Sequence, residues 1–397
     1  MKLRDYQLDI IDQGSVVLND YGLLYLSMEV RTGKTLTSFG VCEKVGAERV
    51  LFLTKKKAIS SIESDYAMMN PSFELQVINY ESAHKVNLGF SPDVIVADES
   101  HSLGAFPKPS ARAKRLKADL QTWGSKLILM SGTPTPESFS QMYHQVYGYK
   151  DNPFKEYKNF YRWADDYVRT RQIQYGIRIA TDYSITHKQM VIEAMKPYTI
   201  SFTQSEAGFK SVIDEEILYV DMEDRTYNLC TRLKRDKVLE GEEEVVLGDT
   251  GVKLMQKLHQ MYSGTVIFES KNSVVLDYSK AVYIKEKFKG NKIGLFYKFQ
   301  AELKALKDVF GDSLTTDLTE FNETDKNIAL QIVSGREGIS LRKAKYLVYY
   351  NIDFSATSYW QSRDRMTTKE RMHNKIYWVF SKNGIEKKIY QAVNNKK

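Results

Sequence analysis

Gly33, Lys34 and Thr35 are the last three positions of the phosphate-binding pattern G-x-x-x-x-G-K-[ST], and Met28 stands where that pattern wants its first glycine. A glycine-rich turn between a strand and a helix aims successive backbone N–H groups at phosphate oxygens, and the helix dipole adds to their field. In such a loop Lys34 neutralises the β and γ phosphates and Thr35 holds Mg²⁺ through its hydroxyl. Without the leading glycine, GKT by itself fits a plain loop equally well. A second group of residues shifts the balance. DVIVADESHS puts Asp98 and Glu99 at the end of an apolar run, 64 residues after Lys34, and a nucleotide hydrolase needs one acid for the metal and another for the attacking water. Asp98 suits the metal and Glu99 the water. Two carboxylates at an exposed strand end account for the pair but not for its order after GKT. His101, one of six scattered histidines, fits a relay between domains better than a metal ligand.

Such side chains need strand ends to carry them. LLYLSMEV, RVLFLT, LQVINY, DVIVADE and KLILMSG are short apolar runs separated mostly by amphipathic stretches, the pattern of βαβ units in a parallel, doubly wound sheet. Ligands collect at the carboxyl ends of such strands. GKT, DESH and SGTP each follow one directly. The rhythm breaks over residues 151–210, where NPFKEYKNFYRWADDYVRTRQIQYGIRI is rich in aromatics and arginines and reads as a mostly helical insertion or bridge. It returns in EILYVDM, KIGLFYK, NIALQIV, YLVYYN and KIYWVFS, with SKAVYIKEKF, QAELKALKDVF and GIEKKIYQAV as helices and TVIFESKNSVVLDY as a hairpin. A chain of 397 residues exceeds one ordinary core. The expected division is a first α/β domain over 1–150, the insertion over 151–210 and a second α/β domain over 211–397.

Composition narrows the class. Cys42 and Cys230 match no metal or redox spacing and read as reduced thiols of a cytosolic protein. MKLRDYQLDIIDQ mixes charges with apolar residues from the start and so reads as neither a secretory signal nor a transit peptide. The longest apolar runs fall far short of the roughly 20 residues a bilayer demands, so no membrane span and no membrane partner is expected. A net charge of +7 permits a polyanionic partner without requiring one.

DESH, followed by LILMSGTPTP, resembles the superfamily 2 helicases and nucleic-acid translocases, and the order of the remaining motifs is most similar to their Swi/Snf-type branch along nearly the whole chain. The resemblance implies an α/β fold of two tandem RecA-like, doubly wound parallel-sheet domains with a helical insertion between them. LRDYQLDII is similar to the family's opening motif, which assigns Tyr6 and Gln7 to the adenine base with Arg4 as a helper; an amphipathic first helix is the plainer reading. MEVRTGKT resembles the branch's D-E-M-G-L-G-K-T, with Glu29 in register and Arg31 in place of the middle glycine. The next motifs place Thr54, Lys55 and Tyr80 on a phosphate backbone, although three adjacent lysines at 55–57 also suit a solvated turn. Ser110 and Arg112 fit the segment after DESH. His101, Ser131 and Thr133 would couple hydrolysis to domain motion.

In the second half the resemblance assigns Ser334, Gly335, Gly338 and Ser340 to nucleic acid and nucleotide, and Gln361 and Arg365 to the last motif. Thr368 stands where the family places a second arginine. Arg365 is the first candidate for an arginine finger on the γ-phosphate, with Arg363 and Arg371 as alternates. The implied activity is a nucleic-acid-dependent ATPase using ATP and Mg²⁺, held between two domains, whose closure and opening step along DNA. Open alternatives are an RNA motor and a nucleic-acid-binding regulatory module whose hydrolysis has decayed. A monomer in a bacterial or phage-infected cytoplasm, dependent on other proteins for targeting, completes the expectation; compact motors rich in tyrosine and lysine resemble those of bacteriophages.

Overall fold

The computed structural model describes residues 3–83, 89, 91–175, 178–210, 212–335, 339–367 and 373–394; among them no helix is long and apolar enough to cross a membrane. Two units divide the chain, Met1–Phe209 and Lys210–Lys397.

In the first unit the five apolar runs become β1 (Leu23–Met28), β2 (Arg49–Thr54), β3 (Glu74–Asn79), β4 (Val94–Ala97) and β5 (Lys126–Met130). The 151–209 region adds an antiparallel hairpin, β6 (Arg171–Tyr175) with β7 (Arg178–Asp182), and the short strand β8 (Thr199–Phe202). The main sheet has the order β3-β2-β4-β5-β1-β8, with every pair parallel. Both of its faces are covered, which explains the unbroken apolar runs. Along β1, Leu23 and Tyr25 enter one core while Leu24, Leu26 and Met28 enter the other, the alternation that a pleated strand dictates.

Residues 151–209 belong to this first unit rather than standing between the two. Their aromatics supply the reason: Phe154, Phe160 and Trp163 are buried in the core shared with Leu23 and Tyr25, and Trp163 stacks on Tyr167 with ring centroids 5.0 Å apart. Helices Phe160–Tyr167 and Lys188–Met195 flank the hairpin, so the region is mixed where helix was expected. β8 then pairs with β1 from Tyr25↔Thr199 to Met28↔Phe202. The region thus ends inside the first sheet.

The second unit repeats the plan. Its strands are β9 (Val212–Val220), β10 (Val238–Glu240), β11 (Val245–Leu247), β12 (Thr265–Ile267), β13 (Ser273–Val275), β14 (Ile293–Tyr297), β15 (Leu314–Thr315), β16 (Asn327–Gln331), β17 (Tyr346–Tyr349) and β18 (His373–Ser381). The large sheet runs β15-β16-β14-β17-β18-β9, again all parallel. β12 and β13 form the expected hairpin, and β10 pairs with β11. Two parallel α/β sheets in tandem are the architecture of RecA-like domains. Inside this unit Lys280 Nζ meets the Glu386 carboxylate at 2.8 Å with both side chains fully buried. Desolvating two charges offsets much of their attraction, so such a pair adds little net stability, whereas removing one partner would leave the other buried and uncompensated.

Candidate nucleotide site

In the first sheet β4, β5 and β1 are neighbours, so the loops leaving their carboxyl ends, DESH, SGTP and MEVRTGKT, lie side by side. The GKT loop turns sharply through left-handed backbone. Gly33 has φ 84° and opens the helix Lys34–Lys44; a Cβ there would come within 2.5 Å of Gln7 Nε2. Arg31 has φ 67°, the left-handed conformation that glycine adopts without strain. The backbone at Arg31 therefore keeps a glycine-like shape although the side chain departs from the family's wording. Lys34 Nζ lies 3.0 Å from the Met28 carbonyl and 3.3 Å from that of Glu29, and Thr35 sits in the first turn of the helix, half-buried.

The opening motif grips this loop. Gln7, buried, donates to the Gly33 carbonyl at 3.2 Å and accepts from the Arg4 backbone at 3.0 Å. The Tyr6 hydroxyl donates to the Thr32 carbonyl at 3.1 Å and accepts from Arg4 Nη1 at 2.8 Å. Three contacts were invisible in the sequence: the Tyr6 ring stacks on Phe202 at 4.6 Å, and Gln204 donates its backbone N–H to Glu29 Oε2 at 2.7 Å and its side chain to the Val30 carbonyl at 2.8 Å. The chain just past β8 thus holds the GKT loop from the side.

Thr54 and Tyr80, expected on a phosphate backbone, face inward. Thr54 is fully buried and donates to Asp98 Oδ2 at 2.9 Å, and buried Tyr80 donates to the Asp98 carbonyl at 2.6 Å. Their hydroxyls position the acid, and Lys55 is the member of that group that reaches the surface. Ser110 caps the helix Ala111–Trp123 by accepting from Ala113 N at 3.1 Å. Arg112 pairs with Glu81 and lies over the Tyr80 ring, 5.3 Å from its centroid.

Asp98 keeps a solvent-facing edge but is otherwise surrounded by protein. Burial and then the neighbouring Glu99 charge raise its carboxyl from 3.8 to about 6, against the pull of Lys34 and the Thr54 hydrogen bond. A carboxylate held in its charged form only with difficulty is a site short of positive charge, which fits a divalent cation. The sign of its effect on stability follows. The ionised form costs stability above about pH 6, and the cost vanishes below about pH 4, where folded and unfolded carboxyls are both protonated. Asp98→Asn should therefore raise the thermal midpoint at neutral pH in EDTA and leave it unchanged near pH 4. A neutral-pH midpoint below that of the unaltered chain would contradict this account.

Glu99 has φ 49° and ψ 45°, a left-handed backbone that an L side chain adopts at a cost and that clusters at functional sites. The turn places Glu99 Oε2 3.3 Å from His101 Nδ1. The same nitrogen is 3.0 Å from Ser131 Oγ, and Ser131 Oγ accepts from the Thr133 backbone at 3.1 Å. A second line, also missed in the sequence, runs from the Ser100 hydroxyl to Tyr25 at 3.0 Å, to Gln145 at 2.7 Å, and on to the Pro134 carbonyl at 2.8 Å. The acidic loop is hydrogen-bonded to the SGTP loop along both.

In the second unit, Ser334 and Gly335 end the short helix Ile332–Gly335 that follows β16, and Gln361 lies in the helix Ala356–Arg363. Ser340 is exposed. Gly338, Thr368 and Arg371 lie outside the described residues. Arg365 is buried, with Nη1 3.3 Å from the Ile339 carbonyl, and its own carbonyl accepts from Leu341 N at 2.9 Å. Arg363 donates to Glu215 at 2.9 Å, and the same carboxylate accepts from Tyr359 at 3.0 Å, Trp378 at 2.8 Å and Tyr390 at 3.0 Å.

No protein-family model and no curated protein matches the chain. Among solved structures it is similar to the Sulfolobus solfataricus SWI2/SNF2 ATPase core in complex with dsDNA, at 14% identity and a TM-score of 0.44, over 100% of this chain and 91% of that one. It is also similar to the Sulfolobus solfataricus SWI2/SNF2 ATPase core domain, with the same identity and TM-score over 100% of this chain and 89% of that one.

Proposed function

We propose that this chain is an ATP-dependent DNA translocase or helicase. The observation that carries the reading is the unbroken line Glu99–His101–Ser131–Thr133, which begins next to Asp98 and the GKT loop and ends in SGTP. Magnesium bound with ATP would supply charge to the phosphates when present. Thr35 and Asp98 would hold it, Thr54 and Tyr80 keeping Asp98 in place. Lys34 and the N–H groups before the helix Lys34–Lys44 would bind the β and γ phosphates, with Gly33 and Arg31 giving the loop its curvature. Glu99 would orient a water and take its proton. His101, hydrogen-bonded to Ser131, would report the state of Glu99 to the SGTP loop.

Tyr6 and Gln7 hold the loop and, in this reading, stand beside the adenine. Lys55, Ser334 and Gly335 would meet a phosphate backbone, so binding should be largely independent of sequence and weaken steeply with salt. Arg365 is the proposed finger. The preference for DNA over RNA follows the Swi/Snf-like wording of the motifs. ATP turnover measured with single-stranded, duplex and forked DNA and with RNA tests the reading, with stimulation by DNA as the expected result. Turnover unchanged by every nucleic acid would overturn it as a motor.

A further inference from the structure

Apart from the GKT and DE loops, the turn between helices Gln141–Val146 and Phe160–Tyr167 walls a groove of about 510 Å³. Five lysines line it: Lys108, Lys117, Lys150, Lys155 and Lys158. Among the described residues no acid lines it. Asp151 stands at its rim, 3.9 Å from Lys150 Nζ and 3.7 Å from Lys155 Nζ, and Glu156 is exposed nearby. The balance stays positive. Tyr147, Tyr149, Tyr157 and Tyr161 line it as well; the first three are half-buried against the core, and the Tyr157 hydroxyl donates to Asp166 at 2.8 Å. Tyr161 is 46% exposed, and Lys117 Nζ lies 4.7 Å from the Tyr147 ring centroid. The floor is firm, because Tyr143, His144 and Phe160 pack ring against ring with centroids within 5.6 Å.

Cations set beside aromatic rings suit a strand that offers phosphates together with unpaired bases. A duplex offers the phosphates but keeps its base faces stacked on one another. The size falls in the range of roughly 300–1,000 Å³ that encloses a small ligand, enough for a nucleotide unit. We propose that this groove binds single-stranded nucleic acid, with lysines on its phosphates and tyrosine faces under its bases. The site lies outside the machinery assigned above and does not depend on ATP chemistry.

The test uses the full chain, labelled oligothymidylate and oligouridylate, and fluorescence anisotropy without ATP. Tyr161→Ala should weaken binding on the order of tenfold. Lys155→Ala with Lys158→Ala should lower the slope of log affinity against log salt by about 1.4, at roughly 0.7 per phosphate contact in a single strand. Duplex binding and nucleic-acid-free ATP turnover should not change in either variant, and photocrosslinks from an iodouracil oligonucleotide should fall within residues 143–161. Unaltered affinity and slope in both variants, crosslinks only elsewhere, an equal loss of duplex affinity, or full displacement of the oligonucleotide by inorganic phosphate would each overturn the proposal. Because binding is read without ATP, it stands or falls separately from the motor reading.

Discussion

Glu99→Gln should abolish ATP turnover, by at least the roughly 10²- to 10⁴-fold that a positioned base contributes, and Lys34→Ala should abolish it too, each leaving the fold intact. Glutamine keeps the size of Glu99 and an oxygen to face His101 Nδ1, now 3.3 Å from the carboxylate, but it cannot take a proton. It also removes the charge that helps raise the Asp98 carboxyl, so the variant should hold magnesium nucleotide no less firmly once hydrolysis is blocked. Lys34 is half-exposed and its ammonium touches carbonyls of its own loop; alanine deletes the charge proposed for the phosphates and should weaken nucleotide binding as well. Phosphate release gives the rate, a fluorescent ATP analogue the affinity, and circular dichroism the fold. Turnover within tenfold of the unaltered chain in both variants would remove Lys34 and Glu99 from the roles given them.

The second large effect concerns the arginines of the last motif. Arg365→Ala should cost roughly 10³- to 10⁵-fold in turnover, the range of an arginine finger, and Arg365→Lys should recover little because an ammonium lacks the guanidinium fork. Arg363 makes the contrast. Its guanidinium is held by Glu215, which also collects Tyr359, Trp378 and Tyr390, so Arg363→Ala should act on stability, by about 1–3 kcal/mol for the loss of a charged hydrogen-bond partner, with the turnover of the folded fraction retained. Urea unfolding and single-turnover hydrolysis separate the two outcomes. If Arg365→Ala hydrolyses ATP normally, the finger is not Arg365 and Arg371 becomes the residue to test.

The sheets were legible because their strands are buried on both faces, which makes runs such as LILM and YLVY continuously apolar. GKT and DE were legible for the same reason, each sitting where such a run stops. Strand β8 was not, because TISF is four residues long with two polar ones and owes its conformation to pairing with β1 more than 170 positions earlier. Thr54 and Tyr80 show a different limit. TKKK and NYES read the same whether the hydroxyl points to solvent or to Asp98, and only the parallel register of β3, β2 and β4 decides it. The Gln204 contacts with Glu29 and Val30 likewise link segments that no local period connects.

That strand has a practical meaning for anyone dividing the molecule. A fragment trimmed at residue 150 would retain every recognisable motif of the first half, yet it would expose the bare edge of β1 and forfeit the outside support of the loop at 29–30. The first compact unit runs on to Phe209, and what reads as spacer in the sequence closes the edge of that unit's own sheet.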